Sequence, residues 1–446
     1  MTARLHPLAR RDLLRLLVAT AAAGGLAPLL AACGSDPAVS GSGDLDLVVS
    51  GARREDGDPA AVGAVVAAMS AFAGDLYGRL AAGDGNLALS PYSVTAALGM
   101  TLNGAGGRTA QQMSEVLGLG DRLDLAAFNA GLNALTASAE SLAGPVRRAD
   151  GSAATVDLAA ANQLFGDRSL AWAKPFLDVL ATQYGAGMRV VDFAEDTEAA
   201  RGLVNAWTAE QTHDRIPQII PPGVLDALTR LVLVNALYLK APWETPFEKG
   251  STRPGDFHRL DGSVVRTDLM QGAVGGSLLV ADGWQALRIP YAGGALAMTV
   301  VLPDRGRLPA VETLLREQGV AGFLADGAAG EVQLTLPSWT FRSDTPLGDV
   351  LVALGMTDAF DAEAADFDPM TEDPNGLFVS AVLHQTFIAV DEDGTEAAAA
   401  TAVVMQDSAV LVSDRLVVDR PFLFVVHDTA HGTPYFLGRV LDPSAT

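Results

Sequence analysis

The sequence predicts one large α+β domain, and three observations predict it. Helix-like stretches with proline starts and glycine stops crowd the first half, and apolar runs of strand length crowd the second. No regular alternation of strand and helix points to a doubly wound parallel sheet. The 446 residues are 49% hydrophobic, ample for a large core, but only 6% aromatic, so packing must rely on Leu, Val and Ala. There is no internal repeat.

The elements follow in order. Asp58 and Pro59 give a cap and a first-turn proline for a helix that stops at Gly83. "NLALS" (86–90) is a short strand, Ser90 and Pro91 open a second helix, and "TAQQMSEVLGLG" forms a third. Further helices are expected at 124–142, 172–185 and 197–213, the last capped by Thr197. The run from Arg230 to Trp243 is apolar on both faces and suits the middle of a covered sheet. "SLLVADGWQALRIPYAGGALAMTVVLPD", "EVQLTLPSWTF", "GLFVSAVLHQTFIAVDEDG", "RPFLFVVHD" and "TPYFLGRVLDP" supply the remaining strands.

Residues 1–32 read as an export signal: Arg10 and Arg11 precede an apolar run that ends in "LAAC". Gly24, Gly25 and Pro28 interrupt that run and disfavour a permanent spanning helix. The tetrapeptide resembles a bacterial lipobox, which implies Cys33 as a lipidated first residue; a secreted protein cut nearby is the alternative. Residues 33–57 read as a flexible tether and 58–446 as the folded body. Cys33 is the only cysteine, so neither an intrachain disulfide nor a cysteine metal cluster can form. The formal charge of −23 argues against nucleic acid as a partner.

The segment from Asp391 to Arg415, "DEDGTEAAAATAVVMQDSAVLVSDR", fits no ordinary element. Extended, one face carries Thr395, Ala397, Ala399, Thr401, Val403 and Met405, with no charge at all. Such a strand can enter a sheet without burying an ion. The same alanines also suit an exposed loop or a surface helix.

With its surroundings, this segment resembles the hinge and reactive-centre loop of serpins. "NLALSPYSVTAALGMTLNGAGGRTAQQMSEVLGL" is similar to the family's early helix pair, and "LVLVNALYLKAPWETPF" to its central-strand signature. "VLHQTFIAVDEDGTEAAAAT" resembles the strand entering the hinge, and "DRPFLFVVHDTAHGTPYFLGRVLDP" the C-terminal signature. The resemblance covers about residues 60–443 and implies three mixed or antiparallel sheets, about nine helices and an exposed loop. It implies an inhibitor rather than an enzyme: a serine protease, or a cysteine protease, cuts the loop, becomes acylated, and is trapped as the loop inserts as a strand.

The residues that carry this over are the hinge Gly394, Thr395, Glu396, Ala397, Ala398, Ala399, Ala400 and Thr401. Ser90, Ser93, Asn235 and His384 match a polar shutter beneath the sheet. Trp243 matches the breach at its top, with simple core packing as the competing reading. Counting forward from Gly394 places the scissile bond at Ser408–Ala409, and counting back from Pro421 places it at Val410–Leu411. No Lys or Arg lies between Glu396 and Arg415, which argues against a trypsin-like target and favours elastase-, chymotrypsin- or subtilisin-like pockets. The family's breach lysine is replaced by Ser338, which leaves Glu392 expected to lack a partner. No catalytic residue, metal or cofactor is called for, and a monomer anchored by lipid on the extracytoplasmic side is expected. The alternative function is a non-inhibitory binding or chaperone-like module of the same fold.

Overall fold

The computed structural model describes residues 38–40, 45–373, 376–395 and 414–445. Those residues hold eight α-helices and two nine-stranded networks, the α+β architecture that the sequence predicts. Two of the three expected sheets are joined by hydrogen bonding. The 18-residue strand Val264–Ala281 runs unbroken through both, pairing with Arg253–His258, Ala328–Pro337 and Trp284–Pro290.

The helix starts show why these segments fold as they do. Ser90 Oγ accepts the Ser93 N–H at 3.2 Å and Pro91 follows it, so the helix Pro91–Leu102 begins where the sequence places it. Every residue of that helix is buried, as an all-round small, apolar helix must be. Asp124 caps Leu125–Leu142, and left-handed Gly185 stops Lys174–Tyr184. Two expected caps move. Asp58 holds a turn through the Ala60 N–H, and the helix starts only at Val62; Asp196, not Thr197, caps Thr197–Gln211.

The main sheet runs in the order Ala38–Ser40, Asp46–Val49, Met188–Val191, Ala153–Asp167, Leu231–Pro242, Ala381–Val390, Trp339–Pro346. The tether expected over 33–57 therefore ends early. Asp46–Val49 pairs with Met188–Val191, Arg54 bonds Asn133 and Glu140 at 2.7 Å, and the Glu55 N–H reaches the Thr182 carbonyl at 2.8 Å. Alternation in "DLVV" buries Val48 while its neighbours stay partly exposed, which suits a half-buried strand and not a linker. Cys33 and residues 1–32, read above as an export signal, lie outside the described residues.

Candidate functional site

The site is built on the central strand pair. Leu231–Pro242 and Ala381–Val390 run parallel, with six pairs from Ala381 opposite Val232 to Thr386 opposite Leu237. Above Leu237 this pairing stops, and Gly394 and Thr395 fill the top. Thr395 lies antiparallel to both strands at once, opposite Ala241 on one side and Val390 on the other. Gly394 and Thr395, the first two residues of the expected hinge, form a two-residue strand, and Thr395 is already buried, at 2% exposure, in the uncut chain.

Local chemistry dictates that turn. Gly394 has φ +150°, and a Cβ there would stand 2.3 Å from the Ala241 carbonyl oxygen, so only glycine fits. The Asp391 carboxylate accepts the N–H groups of Asp393 (2.9 Å) and Gly394 (3.2 Å), while the Asp391 N–H donates to the Gly394 carbonyl at 2.9 Å. Burial pushes the Asp391 carboxyl above its ordinary range, opposed by those two donors.

Trp243 is fully buried and does more than fill space. Its indole N–H donates to the Asp391 carbonyl at 3.0 Å, and its backbone N–H to the Asp393 carbonyl at 3.0 Å. Its ring stacks on Tyr291 with centroids 4.6 Å apart. Glu392 is corrected: Thr252 Oγ1 donates to its carboxylate at 2.6 Å, and its neighbour Asp393 pairs with Lys249 at 2.8 Å. Ser338 lines an open cavity of about 470 Å³ beside Asp391 and Trp339. Sequence reasoning missed Tyr291, Thr252 and Lys249, because nothing local to them signals a contact with a segment more than a hundred residues away.

Of the expected shutter residues, Ser90 and His384 are joined directly, while Ser93 Oγ and the Asn235 side chain are buried without a hydrogen-bond partner among the described residues. The Ser90 N–H donates to His384 Nε2 at 2.9 Å, and His384 sits opposite Asn235, itself opposite Asn162. Thr386 Oγ1 donates to the Ala88 carbonyl at 3.0 Å, a second pin between this strand and the segment leading into the helix. Because Nε2 accepts, neutral His384 must carry its proton on Nδ1. Burial pushes its pKa down to about 4, with a backbone bond involving Asn235 opposing the shift. His427, bonded to Thr299 Oγ1 at 2.9 Å, is likewise pushed by burial to about 4.

These two histidines give a pH prediction. An unfolded histidine titrates near 6.5, so between pH 6.5 and 4 the unfolded chain binds more protons than the folded one. Stability present above pH 6.5 is therefore lost as pH falls toward 4, on the order of 3 kcal/mol for each histidine. Urea midpoints should fall across that window, and His384→Gln should remove about half of the fall. Flat midpoints in the wild type would contradict the burial argument.

Glu396, Ala397, Ala398, Ala399, Ala400 and Thr401, and both candidate scissile bonds, Ser408–Ala409 and Val410–Leu411, lie outside the described residues. The chain is anchored again at Asp414–Val417, parallel to Ala328–Pro337. Among the described residues no group of three His, Cys, Asp or Glu is placed to hold a metal.

Comparisons with known proteins agree with this geometry. The family model described as Serpin (serine protease inhibitor) matches residues 67–443. A serpin-like protein of Thermococcus kodakarensis is 34% identical over 85% of this chain and 86% of its own length. A leukocyte elastase inhibitor of Xenopus tropicalis is 31% identical over 83% of this chain and 97% of its own. Among solved structures, the thermophilic serpin Tengpin in the native state superposes with a TM-score of 0.78 at 26% identity, covering 89% of this chain and 97% of that one. Thyroxine-binding globulin, in complex with thyroxine, superposes at 0.75 and 26%, covering 85% and 99%.

Proposed function

The chain belongs to the serpin family, and from that premise we propose that it is a suicide-substrate inhibitor of serine proteases, with cysteine proteases as secondary targets. One observation carries the reading: Thr395 is seated antiparallel between two strands that are parallel to each other below it. A strand continuing downward from Thr395 would replace one parallel pairing by two antiparallel ladders, which are slightly more stable per residue. Leu231–Pro242 has 12 residues, and residues 395–406 supply a strand of the same length.

The chemistry belongs to the target. Its nucleophile attacks the scissile carbonyl, the new C-terminal fragment's amine leaves, and the inhibitor's N-terminal portion remains as an acyl ester on the enzyme. Insertion then competes with hydrolysis of that ester. A 12-residue strand spans about 40 Å, so complete insertion carries the enzyme to the far end of the sheet. The window from Met405 to Leu411 holds no Lys or Arg and a single charge, Asp407, and its small and medium apolar side chains support elastase-, chymotrypsin- or subtilisin-like targets. Export and lipid anchoring at Cys33 would place the inhibitor at the extracytoplasmic membrane face.

Incubation with a subtilisin- or elastase-type protease should yield an SDS-stable covalent complex. Mass spectrometry of the released C-terminal peptide should locate the cut at Ser408–Ala409, with Val410–Leu411 as the alternative. Clean loop cleavage, with protease activity intact for every such enzyme, would instead support a binding or chaperone-like module on the same fold.

A further inference from the structure

Tyr291 follows the strand Trp284–Pro290, bridges Trp243, and lies just before the turn at Gly293 and Gly294. Its backbone is fixed to the top of the central strand: the Ala292 N–H donates to the Pro242 carbonyl at 2.8 Å, and the Glu244 N–H to the Pro290 carbonyl at 3.0 Å. The ring is fully buried and stacks on Trp243 with an interplanar angle of 2°. A buried phenol requires a hydrogen-bond partner. Among the described residues its partner is Thr395 Oγ1, at 2.6 Å. Burial pushes the Tyr291 hydroxyl well above its ordinary range, so it stays protonated at any working pH.

We propose that Tyr291 is a positioning residue that seats the first side chain of the inserting strand before any cut is made, so that insertion extends a pair already formed. The inference rests on the inhibitory reading for its kinetic consequence but not for the seat itself. In the uncut chain the seat fixes register: Thr395 faces both Ala241 and Val390, and a slip of one residue would turn Glu396 into the pocket. After the cut, the residues that follow add to an ordered end, and the entropic cost of the first position has already been met. Loss of the seat lengthens the time available for hydrolysis of the acyl ester.

Tyr291→Phe keeps the ring and its stacking on Trp243 and removes only the hydroxyl. The loss of one neutral hydrogen bond corresponds to about a fivefold change in the seated population. Amide exchange of Asp391, whose N–H donates to the Gly394 carbonyl, should rise by about that factor in the uncut variant. Thr395→Val should do the same, Thr395→Ser should restore wild-type exchange, and the double variant Tyr291→Phe/Thr395→Val should be no worse than either single one. With a protease that forms the complex, the ratio of cleaved to complexed product should rise up to about fivefold in Tyr291→Phe. Unchanged exchange in Tyr291→Phe, or effects of the two substitutions that simply add, would overturn the latch. Absence of a complex from the wild type would fall on the proposed function, because the exchange experiment uses no protease.

Discussion

Thr395→Arg should abolish the covalent complex and leave the protein a substrate. In the structure Thr395 is 2% exposed and bonded to the hydroxyl of Tyr291, whose ring stacks on Trp243. A guanidinium in that seat would be an unpaired buried charge, costing about 3 kcal/mol or more. The hinge avoids the cost by staying outside, and insertion loses its first step. The partition between trapping and turnover should then shift about a hundredfold or more toward turnover. Loop cleavage itself should proceed at a near wild-type rate, because the cut lies about a dozen residues further along the chain. The unfolding midpoint of the uncut protein should change little, since an expelled hinge exposes two residues and leaves the strands below still paired. Measurement of complex yield against cleaved product in one gel series decides the matter. A Thr395→Arg protein that still traps its protease would mean that the inserting face is not the one led by this residue.

Most of the frame that supports this seat was legible in the sequence, and the parts that were not share a physical cause. Ser90 and Pro91 announce a helix start through chemistry local to four residues, and the buried run Leu231–Pro242 announces a central strand through continuous apolarity. Ala153–Asp167 escaped notice. Its "AATVDLAAANQLF" is alanine-rich and reads weakly as strand, and ten pairs with Leu231–Pro242 hold it extended against that local preference. The helices Leu308–Gln318 and Gly348–Leu354 were hidden among strands for the opposite reason: they are short interruptions in a stretch dominated by sheet patterns. At the site, Gly394, Thr395, Trp243 and His384 could be named because a whole motif surrounds each. Tyr291, Thr252 and Lys249 could not, since their roles arise only when the fold brings them to residues 392–395. The missing breach lysine illustrates the point: a gap judged at position 338 is met by Thr252 on Glu392 and by Lys249 on Asp393.

Cutting the loop between Thr395 and Asp414 should raise the melting temperature by on the order of 10 °C or more. Before the cut, Gly394 and Thr395 are the hinge residues seated in the sheet among those described, and the chain is held again at its second anchor, Asp414. Severing the connection releases that constraint. About a dozen residues can then form ladder bonds on both sides, each worth about 1 kcal/mol, and bury alanine, valine and methionine surface. The total is on the order of 10 kcal/mol, as large as the stability of many whole domains at roughly 5–15 kcal/mol. The uncut state must therefore be held by a barrier. Its apparent melting temperature should depend on scan rate, and that of the cut form should depend on it less. The barrier has a structural counterpart in the His384 and Thr386 contacts that pin Ala381–Val390 to the segment around Ala88 and Ser90, beneath the six parallel pairs that insertion must separate. Calorimetry of cut and uncut protein, with cut Thr395→Arg beside them, separates insertion from mere relief of loop strain. The wild type should gain and the variant should gain much less. Equal gains would show that stabilisation does not come from a strand led by Thr395, and no gain in either would remove the metastable state that the proposed inhibition requires.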